Sequence, residues 1–330
     1  MHIIAIKHKK MGIILVGILL ILLVLFVLIL NSPLFGIYNV RQSPDFLFPG
    51  YGLSLVQVNG NTISSTSLMT SRKAKEMNLQ VHFANNGLHA DQFGLLVFID
   101  GHQVSFHRQA DRTRTMTMEK FQLGLHDAIT LPISLSLPTN HHIAHLLLLS
   151  VVAGPDLHAG DMQSSSISYS VSLQKRITYS GISPLAISLP LSSIRTGYMK
   201  YFVGLLINQV GSFDRYNSTL MPPLLLTTRP NEPIKLYAHV GGFPYSSNYY
   251  LFYMVGWHEH NFQQSIASLQ FHLNKGEATV IPFTFKAPQK TGTYEVTGFV
   301  VPTTTYGTKN IPVGPVVTSY RFSLQVGSTK

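Results

Sequence analysis

A long uncharged apolar segment near the N-terminus limits what this chain can fold into. Residues 11–30 form a run of 20 residues without a charged or strongly polar side chain. As a helix, a run of that length is about 30 Å long, which matches the hydrocarbon core of a bilayer. It has no polar stripe, so it differs from an amphipathic helix of a soluble domain. The sequence therefore predicts a transmembrane helix over residues 11–30.

The residues on either side of this run predict its orientation and its fate. Lys7, Lys9 and Lys10 precede it, and the positive-inside rule places residues 1–10 in the cytoplasm. The apolar region of a cleaved signal peptide has roughly 7 to 15 residues and is followed by a small-residue cleavage motif. Here the run is longer, and residues 31–36 contain no Ala-x-Ala pattern. An uncleaved anchor in the cell membrane is favoured over cleavage, with the C-terminal domains extracytoplasmic.

The charge of the chain indicates its partners. The net charge is +10, only 12% of the residues are charged, and Cys is absent, which excludes disulfides and thiolate metal sites. Beyond the anchor, 21 basic residues stand against 14 acidic ones, a net charge of about +7. A basic exported surface favours an envelope protein or an anionic cell-wall polymer as partner, and solubility alone is the alternative explanation. The basic residues are scattered, so no nucleic-acid partner is predicted.

The remainder of the chain has the pattern of an all-β protein. Short alternating segments are separated by Gly, Pro and Asn, and no stretch keeps a helical period over three turns. Asp100-Gly101 predicts a hairpin turn with positive φ at both residues. The predicted fold is two immunoglobulin-like β-sandwich domains after a single N-terminal transmembrane helix. Its parts are a stalk over 31–50, a first sandwich over 51–180, a linker or bridging strands over 181–217, and a second sandwich over 218–330.

Two segments about 150 residues apart have similar patterns. Thr130–Pro138 and Thr279–Pro288 both read as a strand that ends in a proline turn, and a buried strand follows each of them. This offset predicts an internal duplication, in which the two domains have one fold.

The segment from Ala287 to Val296 resembles the corner between strands E and F of immunoglobulin-like domains. Gly292 and Tyr294 take the positions of a tyrosine corner, and Val296 stands where antibodies have a disulfide Cys. Residues 77–87 with the following hairpin are similar to CARDB-like modules of bacterial surfaces. The resemblance implies the fold and an extracytoplasmic location. It implies no catalytic residue.

The sequence lacks the catalytic motifs that can be recognised by spacing. It contains neither a Gly-x-Ser-x-Gly elbow nor a phosphate-binding loop, and Gly50-Tyr51-Gly52 lacks the third glycine of a dinucleotide fingerprint. Carboxylates are sparse. We therefore predict no enzyme activity and no cofactor.

Three histidines are candidates for a metal site. On a strand, His258 and His260 share a face. With His272 as a third ligand they have the donors that Zn²⁺ or Cu²⁺ prefers. An exposed polar loop after Trp257 is the alternative interpretation.

Aromatic residues are concentrated in the second domain. The residues predicted to form a possible ligand surface are Tyr245, Tyr249, Tyr253 and Trp257. The alternative is a strand that is buried on both faces, or covered by the neighbouring domain.

Together these patterns predict a non-enzymatic, membrane-anchored binding or assembly protein of the cell envelope. The alternative is an accessory subunit that binds a ligand or a metal for a membrane enzyme or transporter.

Overall fold

Hydrophobic alternation becomes strand burial throughout the chain. In the strand Glu76–Asn86, Met77, Leu79, Val81 and Phe83 point into a core, whereas Glu76 and Asn78 are exposed. A period of two is the signature of a strand with one buried face. The computed structural model describes residues 50–65, 67–71, 73–87, 91–158, 170–180, 196–198, 203–211, 225–262, 266–303 and 316–327. In this part the chain is all-β, without a helix.

The first sandwich contains the strands β1 Gly50–Val56, β2 Ser67–Thr70, β3 Glu76–Asn86, β4 Asp91–Ile99, β5 His102–Gln103, β6 Phe106–Arg108, β7 Asp111–Met116, β8 Met118–Leu123, β9 Ala128–Ser136, β10 His145–Ala153 and β11 Ser170–Tyr179. The second contains β12 Thr196–Tyr198, β13 Gly204–Asn208, β14 Leu225–Thr228, β15 Pro233–Gly241, β16 Ser247–Val255, β17 His258–His260, β18 Ser268–Leu273, β19 Glu277–Lys286, β20 Gly292–Pro302, β21 Val317–Thr318 and β22 Phe322–Val326.

The two sandwiches have matching strand orders. Sheet A (β1-β3-β9-β6-β7) faces sheet B (β2-β11-β10-β4-β5, with β8 also on β4). Sheet C (β12-β19-β15-β13) faces sheet D (β14-β22-β20-β16-β17, with β18 on β16 and β21 on β20). In each, a short strand runs parallel to the last long strand, β2 to β11 and β14 to β22. This is an immunoglobulin-like topology, and the shared order shows the duplication that the sequence predicts.

Residues at corresponding places confirm the match. Pro132 pairs with Gln80 of β3, and Pro282 pairs with Tyr237 of β15. Both prolines lie inside long strands rather than at their ends. They are tolerated because β6 pairs with β9 only from Ile133 onward, and β12 pairs with β19 only up to Thr279. Each proline therefore sits where the second neighbour forms no ladder, which is an edge-like position.

The predicted Asp100-Gly101 turn is confirmed. Its φ values are 54° and 80°, and Ile99 pairs with His102 across it. The corresponding turn of the second sandwich is Gly256-Trp257, with φ values of 59° and 67°. Trp257 therefore lies in a turn and not in the strand in which immunoglobulin domains bury their tryptophan.

The tyrosine corner is also confirmed. The Tyr294 hydroxyl donates to the Lys290 carbonyl over 2.8 Å, and Val296 is fully buried. In the first sandwich, the position of Tyr294 belongs to His145, because Leu147 and Val296 pair with the equivalent residues Ile99 and Val255. The offset here is therefore one residue shorter than the sequence pattern indicates. His145 Nε2 lies 2.9 Å from the Asn140 carbonyl, so a histidine replaces the tyrosine in the same role.

Several predicted segments lie beyond the described residues. These are the cytoplasmic segment 1–10, the helix 11–30 and nearly all of the stalk 31–50. Over the parts of 50–327 that are described, no helix is long and apolar enough to cross a membrane. Within the predicted linker 181–217, β12 pairs with β19 and β13 pairs with β15, so both strands belong to the second sandwich.

Replacing Tyr294 with Phe tests the corner. The substitution keeps the ring and removes one hydrogen bond, so we expect a loss of about 1 kcal/mol in the free energy of unfolding, measured by urea titration. Tyr320 is 55% exposed, and Tyr320→Phe is the matched control, with an expected change below about 0.5 kcal/mol. Equal effects of the two variants would contradict a role for the corner in stability.

Candidate functional site at the junction of the sandwiches

An apolar core joins the two sandwiches. It is formed by the outward faces of sheets B and D, and its fully buried members are Leu96, Phe98, Leu146, Leu148, Val152, Tyr250, Phe252, Met254, Phe299 and Val301. The ring centroids of Phe98 and Phe252 are 4.7 Å apart, and Phe252 stacks on Phe299 at 5.0 Å. Each sandwich also has its own core. The central strands β4, β10, β16 and β20 are therefore buried on both faces.

The two equivalent hairpins meet at one rim of this core. Gln103 of β5 and Glu259 of β17 hold matching positions after their turns. The Gln103 amide N–H donates to Glu259 Oε2 over 2.8 Å, and the Glu259 amide N–H donates to Gln103 Oε1 over 3.1 Å. Gln103 Nε2 also donates to the Trp257 carbonyl over 3.0 Å. Corresponding residues thus bind each other, which makes this contact locally symmetric.

A histidine–carboxylate pair adds to the rim. His102 Nδ1 lies 3.3 Å from Glu259 Oε1, and the carboxylate side chain is only 14% exposed. The hydrogen bond with Glu259 raises the pKa of His102, and it outweighs the opposing effect of burial. The pair links the first sandwich to the second.

A buried charge network lies on the other side of Trp257. Arg321 Nε is 3.0 Å from Glu295 Oε2, and both side chains are less than 5% exposed. The Arg321 guanidinium donates to the carbonyls of Ala153 and Leu157 of the first sandwich. The Ser323 hydroxyl donates to Glu295.

Two side chains extend this network to the surface. His158 Nδ1 is 3.2 Å from Glu295 Oε1, and its side chain is 39% exposed. The ring of Trp257 lies 5.4 Å from the Arg321 guanidinium, and its Nε1 donates to the Pro155 carbonyl over 2.8 Å. Burial lowers the pKa of Arg321, against the attraction of Glu295 and Asp91. The carboxylate is thus surrounded by donors that fix its position, which favours a structural use of these charges.

The structure does not bring the three predicted metal-ligand histidines together. His258 is exposed, and burial together with the nearby His258 lowers the pKa of His260. His272 pairs with Asn248 at one end of β16, and His260 pairs with Tyr253 five residues along the strand, about 17 Å away. His272 instead lies 2.8 Å from the Asn248 side chain. Among the described residues, no group of three or more His, Cys, Asp or Glu side chains is placed to hold a metal ion.

The predicted aromatic surface divides between core and exterior. Tyr249 and Tyr253 are fully buried in the second sandwich, where burial raises the pKa of Tyr249 to about 12 and also raises that of Tyr253. Tyr245 is 37% exposed at a loop, and Trp257 is half-buried at the junction. The four rings therefore do not share one exposed face. Both faces of β16 are buried, as the alternative interpretation predicts.

Sequence reasoning missed the junction residues Gln103, His158, Glu295 and Arg321. One signal was present, because Glu295 interrupts an otherwise apolar strand segment and a buried carboxylate needs a partner. Nothing in the sequence identifies Arg321 as that partner. A shallow cavity of about 270 Å³ lies elsewhere, between β14 and β15, and it contains none of the predicted site residues.

Removing Arg321 tests the buried network. Arg321→Met leaves Glu295 buried without its main countercharge, so we expect a loss of about 3–5 kcal/mol in the free energy of unfolding. The double variant Arg321→Met/Glu295→Leu removes both charges and should recover much of that loss. Arg114 is exposed, and Arg114→Met is the control. A single-variant loss no larger than the control would show that the ion pair is not needed.

The His145 corner predicts a pH-dependent stability. Burial lowers the pKa of His145, but its hydrogen bonds to Asp100 and Asn140 outweigh burial, so the pKa is raised. A raised pKa contributes stability that is complete below the unfolded value of about 6.5 and is lost as pH rises through the folded value. Asp100→Asn keeps an acceptor for the Leu146 amide and removes the charge.

We therefore expect the stability difference between wild type and Asp100→Asn to grow as pH falls from 8 to 6. Denaturant titrations at several pH values measure it. Asp111 is exposed and bonded to Thr113, so Asp111→Asn should show a flat difference over this window. A flat difference for Asp100→Asn as well would disprove the ionic role of His145.

Comparisons with known proteins give only distant structural similarities. No protein-family model matches the sequence, and no curated protein matches it, so the CARDB-like resemblance stays a prediction. Among solved structures, red sea bream transglutaminase aligns at 11% identity with a TM-score of 0.22, over 86% of this chain, and this chain spans 32% of that protein. The C-terminal domain of the Streptococcus agalactiae AgI/II polypeptide BspA aligns at 8% identity with a TM-score of 0.21, over 84% of this chain and 100% of that domain. The C-terminal domain of the Streptococcus pyogenes antigen I/II-family protein AspA aligns at 8% identity with a TM-score of 0.22, over 84% and 99%.

Proposed function

We propose that this chain is a non-enzymatic binding or assembly protein of the cell envelope. In this proposal residues 11–30 anchor it in the membrane, and the two sandwiches project outside the cell as one unit. The observation that carries the proposal is the third apolar core. It consumes the inner faces of both sandwiches and leaves their outer sheets, edges and loops for partners.

The use of charge in the junction supports a structural role. Glu295 is held by Arg321 and Ser323, and Glu259 is held by the amide of Gln103. A carboxylate that serves as a general acid or base must reach a substrate. These carboxylates are instead directed at the neighbouring sandwich, where they fix its position.

The basic balance beyond the anchor supports an anionic partner. The described basic residues include exposed ones on the outer sheets, such as Arg112, Arg114 and Lys235. In a charged envelope, such residues attract acidic proteins or anionic wall polymers. A protein partner is favoured where the surface also offers backbone edges, and an anionic polymer is favoured where it offers charge alone.

Chemical cross-linking in intact cells tests this proposal. A C-terminally tagged chain is treated with a membrane-impermeant amine-reactive cross-linker, and the co-purifying material is identified. We expect an envelope protein or a wall polymer. A stoichiometric membrane enzyme or transporter would instead identify the chain as an accessory subunit. If the impermeant reagent fails to reach the tagged chain, the extracytoplasmic placement is wrong.

The absence of Cys allows a matched topology control. Val58 is 95% exposed, so Val58→Cys should react with an impermeant maleimide in intact cells. Ala5→Cys, in the predicted cytoplasmic segment, should react only after permeabilisation. The reverse pattern would contradict the orientation of the anchor without bearing on the fold.

A further inference from the structure

The β6–β7 ribbon is an element of the first sandwich without a counterpart in the second. Gln103 corresponds to Glu259, and Met118 corresponds to Ser268, since each of the latter two residues begins the strand that pairs with β4 or β16. The connection between these points is residues 104–117 in the first sandwich and only 260–267 in the second. In the first, it adds two strands to sheet A. The described residues of the second connection add none to sheet C.

An insertion into a duplicated framework is free of the packing demands that the framework imposes, and insertions often carry the binding function of a repeat. Ribbon residues accordingly differ from those of the other strands. In β7, Asp111 to Thr115 are all exposed, and Met116 is half-buried. The strand therefore contributes little to the core beyond Met116.

β7 is also the last strand of sheet A. Its inner edge pairs with β6, between Phe106 and Met116 and between Arg108 and Asp111. Its outer edge has no neighbouring strand among the described residues. A free edge presents a row of backbone donors and acceptors that can pair with another extended segment.

The charges along this edge are uncompensated. Arg112 and Arg114 lie two residues apart, so they share a face about 7 Å from each other. Neither forms an ion pair in the part of the chain that the structure describes. Nearby basic residues differ, since Arg108 is paired with Glu119 and Lys120 with Asp156.

The single acidic residue of the strand is already engaged. Asp111 accepts bonds from the amide and the hydroxyl of Thr113, and these bonds lower the pKa of its carboxyl. It points to the other face from Arg112 and Arg114, because neighbouring strand residues alternate. The face with the two arginines is therefore positively charged.

We propose that the outer edge of β7 docks an extended segment of a partner protein that carries acidic residues at alternate positions. Its backbone would extend sheet A, and its carboxylates would face Arg112 and Arg114 as cross-strand pairs. This inference rests on the proposed binding function and names its surface.

A second copy of this chain fits the edge poorly. Antiparallel pairing of two β7 strands about Thr113 places Arg112 of each copy opposite Arg114 of the other. Like charges directly opposite one another destabilise a strand pair. An anionic polymer would satisfy the arginines, but it would leave the backbone groups of the edge unused. The combination of free edge and alternating charge favours a peptide.

The test uses the full chain, purified in a mild detergent, and a fluorescent ten-residue peptide with Glu at alternate positions and Thr or Val between. Binding is followed by anisotropy, and hydrogen exchange of residues 111–116 is followed by mass spectrometry. We expect saturable binding that slows exchange in β7. Arg112→Glu/Arg114→Glu should weaken binding by about tenfold or more.

Matched controls separate edge pairing from general attraction. Lys235→Glu/Lys286→Glu makes the same charge change at two exposed positions of the second sandwich, and it should leave binding within about twofold. A peptide of the same composition with its Glu residues in one block should bind more weakly. Equal losses in both double variants, or binding without protection of β7, would overturn the proposal.

Inorganic polyphosphate is the second probe. If it binds more tightly than the alternating peptide and leaves exchange in β7 unchanged, the surface recognises an anionic polymer and the peptide proposal is wrong. The same arginine variant in the cellular cross-linking separates the two levels. Retention of the native partner by that variant would sink the β7 edge and leave the binding function intact, whereas a wild-type chain without any partner would sink the binding function itself.

Discussion

The structure depends on strands that cannot tolerate water on either face. In β10, residues 147, 149 and 151 pack into the first sandwich, and residues 146, 148 and 152 pack into the junction. β16 divides its residues in the same way between the second sandwich and the junction. An antiparallel sheet normally keeps one face for solvent. Because sheets B and D do not, each sandwich can be soluble only while the other covers it.

This constraint makes the charges at the junction informative. An apolar contact is not directional and would tolerate sliding of one sheet over the other. Glu295 and Arg321 do not tolerate it, since a shift would leave buried charges without partners. Their bonds to each other, and those of Arg321 to Ala153 and Leu157, hold only in one register. The apolar core therefore supplies attraction, and the network selects the arrangement.

Local features could be predicted from the sequence, whereas features that depend on distant pairing could not. The Asp100-Gly101 turn and the Tyr294 corner are set by residues within a few positions of each other, and both were predicted. The continuation of the first hairpin was not, because β5 ends at Gln103 and the chain crosses to pair with β9 in the other sheet. That choice depends on β9, which follows about 20 residues later. The anchor over residues 11–30 stays a prediction.

The candidate site illustrates the same limit. Alternation predicts that Tyr249 and Tyr253 share a face, and they do, but alternation cannot say which face meets a core. Here both do, because a second sandwich covers the face that holds Tyr250 and Phe252. The corners show how far the duplicated halves have diverged within this common frame. Tyr294 uses a neutral hydroxyl beside Gly256, whereas His145 uses an ionisable ring beside Asp100. Since the halves share a buried junction, a change of pH that acts on one corner alters the stability of a unit that includes both.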